Sequence, residues 1–276
     1  QLTEDSPINW GGENVCPVPG DYVGSPTAPR AEIAVFDYDT GTWRIRRWFD
    51  GSTVGDDPAG IKFGNENTIP VPGDYTGDGH ADLAVYYPPY GTWHVFELSS
   101  YEYVHKAVQF GWAAADPVPG NYLEDQGDFP RSELAVYHPK SGNWYIRPID
   151  GAKEDTVNIQ FGWEGAWPVP ADYDGDGLAE PAVFQFRKGF WYIRNGALEE
   201  GLLAGQRLRV GQDGYLPLPG NYVNDTNKDL PFDADELVAV NPSTGRWIVQ
   251  NLFGDGRTNV SFVPVRDDVV MPIGLR

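Results

Sequence analysis

The chain of 276 residues contains one cysteine, Cys16, so it has no internal disulfide framework and no cysteine-based zinc site. Basic side chains are scarce. Twenty Lys and Arg stand against 40 Asp and Glu, a formal charge of −20, which argues against nucleic acid or an anionic membrane as partner. No stretch approaches the roughly 18 apolar residues of a membrane-spanning helix, so membrane insertion is not expected. Helical periodicity is absent, and 33 Gly with 24 Pro are too many for a helical bundle. Gly-x-Ser-x-Gly, His-Glu-x-x-His and phosphate-loop patterns are all missing. The four histidines (His80, His94, His105, His138) form no cluster along the chain. Carboxylates are plentiful, so a glycosidase pair stays open, but no catalytic constellation is visible. With 41% hydrophobic residues the chain can bury a real core, as one large domain or two small ones.

What the chain has in abundance is repetition. Pro17-Val-Pro-Gly-Asp-Tyr22 returns unchanged at 70–75 and with small variations at 117–122 (Asn121), 168–173 (Ala171) and 217–222 (Leu218, Asn221), with an eroded sixth copy at Pro272-Ile273-Gly274. The spacings are 53, 47, 51, 49 and 55 residues. Each unit carries four segments of strand character: the Pro-Val-Pro segment, and an apolar run such as Ile33 to Phe36 or Leu83 to Tyr86. A strand opened by a Trp that follows a Gly by two residues comes third, and one ending in Phe-Gly or its equivalent comes fourth. Four antiparallel strands per fifty residues is the signature of a propeller blade. Pro-Val-Pro fits a blade's innermost strand, which is a sheet edge. The expected fold is therefore an all-β, five-bladed β-propeller forming one domain. Its units run at about 17–69, 70–116, 117–167, 168–216 and 217–271, with 1–16 and 272–276 as closing segments. Ile8 to Gly12 resembles the end of a lone fourth strand, so terminal strand exchange would close the ring; the sixth copy would cap the closure or pair with a neighbouring molecule.

Acids concentrate between the first and second strands. In unit 4, Asp172, Asp174, Asp176 and Glu180 stand at positions 1, 3, 5 and 9, with Gly177 at the sharp turn and the Leu178 carbonyl at position 7. Oxygen ligands at these offsets suit a hard cation with six or seven ligands. Unit 2 repeats the pattern with Asp74, Thr76, Asp78, the His80 carbonyl and Asp82. Two structural Ca²⁺ sites at least are expected. Unit 1's loop (23–30) has no acid, while units 3 (Glu124, Asp125, Asp128) and 5 (Asp225, Asp229, Asp233, Asp235) stay acidic in longer loops.

The loops at Asp172 to Val183 and Asp74 to Val85 resemble the VCBS/FG-GAP family of calcium-binding propeller repeats, whose unit reads Asp-x-Asp-Gly-Asp-Gly-x-x-Asp followed by Leu-Ala-Val. The looser repeat covers nearly the whole chain. The resemblance implies structural calcium and an extracellular or periplasmic setting. Its relatives include integrin head propellers, fungal lectins and modules of polysaccharide-degrading enzymes. The chain opens at Gln1 rather than Met and shows no apolar leader, which reads as a processed, secreted form, although a chain boundary set for other reasons would look the same.

The repeat also sorts the ten tryptophans. Trp43, Trp93, Trp144, Trp191 and Trp247 recur in every unit and read as packing residues. Trp112 and Trp163 directly follow Phe-Gly, in loops leading to the next unit's first strand, and Trp167 lies beside Trp163. Strands alternate in direction, so these loops fall on the face opposite the acidic loops, where aromatics stack well on sugar rings. The expected role is non-catalytic extracellular recognition of a glycan or a cell-surface partner, lectin-like in character. A self-associating structural role built on the C-terminal strand, the long loops and Cys16 is one alternative. A polysaccharide-active lyase or glycosidase is another.

Overall fold

The computed structural model describes residues 14–24, 31–47, 50–55, 59–124, 129–194, 207–220 and 234–252, together with the backbone of 257–261. Its twenty strands form five antiparallel sheets of four, each assembled in chain order, and the fold is a five-bladed β-propeller. Blade 1 holds β1 (Val15–Pro17), β2 (Ile33–Asp37), β3 (Thr42–Arg46) and β4 (Ile61–Lys62). Blade 2 holds β5 (Ile69–Pro70), β6 (Leu83–Tyr87), β7 (Thr92–Glu97) and β8 (Glu102–Gln109). Blade 3 follows with β9 (Asp116–Pro117), β10 (Leu134–His138), β11 (Asn143–Arg147) and β12 (Val157–Gln160). Blade 4 has β13 (Trp167–Pro168), β14 (Ala182–Gln185), β15 (Phe190–Ile193) and β16 (Arg207–Arg209). Blade 5 has β17 (Leu216–Pro217), β18 (Leu237–Asn241), β19 (Arg246–Gln250) and β20 (Arg257–Ser261). β20 gives blade 5 its fourth strand from the chain's own C-terminal side. Ile8–Gly12 and residues 272–276, expected to close the ring, lie outside the described residues, as do Trp10 and Trp48.

The chain divides into two compact units, one with blades 1 and 2 and the other with blades 4 and 5 and most of blade 3. Each unit has its own core. In the first, Phe36, Trp43, Ile45 and Leu83 are almost wholly buried; in the second, Tyr173, Phe184, Trp191 and Leu237 are. Among the described residues no helix is long and apolar enough to cross a membrane.

The repeated motif is explained bond by bond. The Trp that opens the third strand is fully buried in blades 1 to 4, and its indole N–H donates to the carbonyl that ends the fourth strand. Those bonds run from Trp43 to Phe63, Trp93 to Phe110, Trp144 to Phe161 and Trp191 to Val210, at 2.7–3.0 Å. The Gly two residues earlier turns the hairpin at positive φ, and a Cβ on Gly91 would lie 2.3 Å from the Gly111 carbonyl carbon. Close backbone approach thus requires Gly at this turn. The Tyr of Pro-Val-Pro-Gly-Asp-Tyr packs edge-on against the same Trp, with ring centroids 6.4 Å apart in blades 1 to 4. Its hydroxyl donates back to the motif's Val carbonyl, as Tyr75 does to Val71 at 2.7 Å. Val71 in turn donates its N–H to Ala84, so the short Pro-flanked strand still pairs where its one free donor lies.

Cys16 is buried, with its Sγ 3.8 Å from the Phe36 carbonyl, and burial pushes the thiol up to about 11. It is a core side chain rather than a cross-linking thiol.

The Trp staple is testable. Trp93→Phe leaves the buried Phe110 carbonyl without its donor and is expected to cost about 1–3 kcal/mol. Trp93→Ala adds a cavity and is expected to cost about 3–5 kcal/mol. Denaturant unfolding measures both; equal stability of the Phe variant and the wild type would show that the bond contributes nothing.

Candidate functional site

The loop between β13 and β14 begins at the end of an inner strand, where Asp172 folds the chain back on itself. One Asp172 carboxylate oxygen accepts the Gly175 N–H at 2.7 Å and the other the Gly177 N–H at 2.9 Å. Both glycines adopt positive φ, 73° and 92°, so the tight double turn suits residues without a Cβ. Asp176 accepts the Leu178 N–H at 2.8 Å, and Glu180 accepts the Tyr173 N–H at 2.8 Å. These bonds gather four carboxylates, from Asp172, Asp174, Asp176 and Glu180, with ligand oxygens all within 4.8 Å of one another. Such a group could hold a metal ion, and an all-oxygen donor set suits a hard one.

Two observations bear on that fit. Asp174 is buried, and its Oδ2 has no hydrogen-bond partner, although a buried acceptor of this kind costs about 1–3 kcal/mol when left unpaired. The charges are also mutually unfavourable. Burial, with repulsion from Asp174, pushes the Glu180 carboxyl up to about 9. Burial and then Asp176 push Asp174 up to about 6, and Asp172 is raised chiefly by burial. A bound cation would answer both the orphan oxygen and the repulsion.

Blade 2 reproduces the turn. Asp74 accepts the N–H groups of Gly77 and Gly79 at 2.6 and 2.8 Å, Asp78 accepts that of His80 at 2.9 Å, and Asp82 accepts that of Tyr75 at 2.8 Å. Burial pushes Asp82 up to about 7. The Thr76 hydroxyl oxygen is buried without a partner, as Asp174 Oδ2 is. Among the described residues, however, the one set of three or more acidic, His or Cys ligands converging on a point is that of blade 4. Thr76 replaces a carboxylate, and the His80 ring turns toward blade 1, its Nδ1 3.9 Å from Asp21. The Arg131 stem lies against Gly77 and its guanidinium donates to the Tyr75 carbonyl at 2.8 and 3.0 Å, so a positive charge already sits beside this loop. Asp125, Asp128, Asp225, Asp229 and Asp233 lie outside the described residues.

The acid before the second strand does more than close a loop. Glu32, Asp82, Glu133, Glu180 and Glu236 are all buried, with exposures of 1–6%. Blade 1, whose loop has no other acid between 23 and 31, keeps the same bond: Glu32 accepts the Tyr22 N–H at 2.7 Å. The acid before the second strand is therefore a structural acceptor in blades 1, 2 and 4, and in blade 4 it is also part of the acidic group. Sequence spacing alone presents Glu180 as a ligand; the recurrence of the acid in blade 1, whose loop has no other acid between 23 and 31, is the signal for its second role.

A second site lies at the other end of blade 4. The β12–β13 loop and the β14–β15 turn enclose a pocket of about 350 Å³. Trp163, Trp167 and Phe186 supply its aromatic lining, and Glu164, Gln185, Arg187 and Lys188 supply polar groups. The Trp167 and Phe186 rings stack at 4.4 Å and 20°, while Trp163 meets Tyr192 edge-on at 4.8 Å and stays 36% exposed. The structure thus brings Trp163 and Trp167 together. Trp112, 37% exposed, is not among the pocket's lining residues, and its carbonyl accepts the Tyr86 hydroxyl at 2.9 Å. Phe186, Arg187 and Lys188 escaped the sequence reading, although their signal was there. Equivalent turns read Tyr38-Asp39-Thr40, Pro88-Pro89-Tyr90, Pro139-Lys140-Ser141 and Pro242-Ser243-Thr244, and none places an aromatic before two cations.

No protein-family model matches the chain, and no curated protein matches it. Among solved structures it is similar to apo AztD from Citrobacter koseri, with 14% identity over 88% of this chain and 71% of that one. The TM-score is 0.40, a likeness too distant to bear on function.

The acidic group makes a signed prediction. Glu180 has an ordinary value of 4.5 and a folded value of about 9. In the metal-free protein its contribution to stability is therefore fullest below 4.5 and is lost as pH rises toward 9. Glu180→Gln keeps an acceptor for Tyr173 and removes the titration. Melting temperature in chelator is expected to fall less steeply between about pH 5 and pH 9 for the variant than for the wild type. Parallel curves would contradict the assignment.

Proposed function

We propose that this protein is a secreted, calcium-stabilised recognition module that binds carbohydrate through the aromatic pocket of blade 4. The observation that carries the reading is the pocket's departure from the repeat. Four blades keep their buried Trp and Tyr in equivalent places, whereas the Trp167–Phe186 stack falls at positions occupied elsewhere by other residue types. Flat aromatic faces suit the apolar C–H faces of sugar rings, and the pocket volume of about 350 Å³ falls in the range of small-ligand sites. Polar side chains at the rim would fix orientation by hydrogen bonding.

Calcium is the ion that the donor set favours. Four carboxylates and the Leu178 carbonyl give an all-oxygen set on a flexible turn, which Ca²⁺ accepts more readily than Mg²⁺ with its strict octahedron. The ion would be structural: Asp172 bonds the Gly177 N–H within the loop and Glu180 the Tyr173 N–H at its start, and blade 5 bonds it in turn, since Asp235 donates its N–H to the Asp172 carbonyl at 2.6 Å. A second calcium in blade 2, through Asp74, Thr76, Asp78 and Asp82, belongs to the same reading, as does the likeness to VCBS/FG-GAP repeats. An extracellular or periplasmic setting, where calcium is abundant, follows from it.

Two experiments test these points separately. Calcium at about a hundred times its Kd is expected to stabilise the protein by about 2.7 kcal/mol, a gain that Asp174→Asn should largely remove. An unchanged melting temperature with calcium or chelator would end the metal claim. For recognition, a broad glycan array is expected to show binding by the wild type, weakened about tenfold or more in Trp163→Ala. Trp163 is exposed, so the variant should fold normally. Absence of glycan binding would overturn the lectin reading while leaving the metal intact.

A further inference from the structure

The blade 4 pocket carries a charge opposite to that of the molecule around it. The chain has a formal charge of −20, yet five of its 20 Lys and Arg (Arg187, Lys188, Arg194, Arg207, Arg209) fall between positions 187 and 209. Two of them, Arg187 and Lys188, line the pocket on the exposed β14–β15 turn. Neither forms an ion pair or a side-chain hydrogen bond among the described residues, and Glu164 across the pocket does not neutralise them. The β15–β16 pairing sets Arg209 opposite Phe190, two residues past Lys188, and the Arg207 guanidinium lies over the Phe190 ring at 4.8 Å. The basic side chains thus continue from the pocket along the outer strand of the same blade.

Unpaired cations on an exposed turn of an acidic protein have no structural task there. The fold does not need two of them, because the equivalent turns of blades 1 to 3 make the same close Gly–Gly approach with Asp39-Thr40, Pro89-Tyr90 and Lys140-Ser141 at those positions. The aromatic wall and the cationic rim together define a composite ligand: a flat apolar ring face bearing a negative group at its edge. Arg offers a planar fork that meets a carboxylate or sulfate bidentately, and Lys adds a second positive charge. We propose that the ligand of this pocket is an acidic saccharide, whose ring lies against Trp163 and Trp167 and whose carboxylate or sulfate is met by Arg187 and Lys188. This rests on the carbohydrate reading of the pocket and narrows it to anionic sugars.

Calorimetry with the full-length protein tests the idea, using three probes: a galacturonate oligomer, a sulfated galactose oligomer and the neutral galactose oligomer of the same length. The expected result is binding to at least one anionic probe about tenfold or more tighter than to the neutral one, weakening as salt rises. Whichever anionic probe binds distinguishes a carboxylate from a sulfate ligand. Arg187→Gln with Lys188→Gln should abolish the preference for the anionic probe, with the melting temperature unchanged because both side chains are exposed. Equal binding of neutral and anionic probes, unaffected by those substitutions, would overturn this proposal and leave the carbohydrate reading standing. Anionic binding that survives Trp163→Ala undiminished would overturn it too, since no ring would then be recognised. Binding to none of the three, together with a blank glycan array, would remove both.

Discussion

A carboxylate buried at the start of each second strand is the constraint on which the rest of the blade depends. Burying an ionised acid is costly unless it is hydrogen-bonded, and the Tyr N–H that turns out of the inner strand supplies a bond in blades 1, 2 and 4. That bond fixes where the Tyr ring goes. The ring sits against the buried Trp, and the Trp N–H holds the end of the fourth strand. One acid therefore links inner strand, loop, core and outer strand in a single chain of contacts. In blade 4 the same acid meets three more carboxylates, and a structural acceptor becomes one member of an acidic group.

The acidic loop and the aromatic pocket occupy opposite ends of blade 4, joined by β13 and β14. Their placement follows from strand alternation, which sends the loop after the first strand to one end and the connections around the next hairpin to the other. The two ends differ in kind. The acidic end varies a theme that every blade plays, with Glu32 as its barest form. The pocket end is peculiar to blade 4, and it shares that end with an intact Trp191 staple and the Gly189–Gly211 approach. Specialisation here leaves the frame untouched.

The architecture was legible because each repeat records its own constraints. Trp93 and Gly91 recur since a buried indole needs an acceptor and the hairpin needs a close approach. The expected second strands match the observed ones closely, as with Leu134 to Tyr137 against Leu134–His138. Asp172, Asp174, Asp176 and Glu180 were equally legible, because a tight acidic turn gathers carboxylates at fixed offsets along the chain. Blade 2 was harder to read. Its offsets are the same, but whether ligands converge depends on what packs against the loop, and Arg131 is 57 positions from Asp74. The pocket was half legible for a similar reason: Trp163 and Trp167 stood out from the repeat, whereas Phe186 enters only through a stacking contact between the β14–β15 turn and strand β13. Non-local packing leaves no spacing to count.

The backbone bonds that tie successive blades have a mechanical meaning. Ala81 and Ser132 donate to the Asp21 and Asp74 carbonyls in the first unit, and Ala179 and Asp235 to those of Asn121 and Asp172 in the second, at 2.5–2.7 Å. In each case the first residue of the loop between one blade's first and second strands receives the segment leading into the next blade's second strand. A blade pulled away from its neighbour would thus break the very turn that shapes its loop. Blades joined in this way should come apart in groups rather than singly, so the elementary step of unfolding is wider than the sequence period that announces the fold.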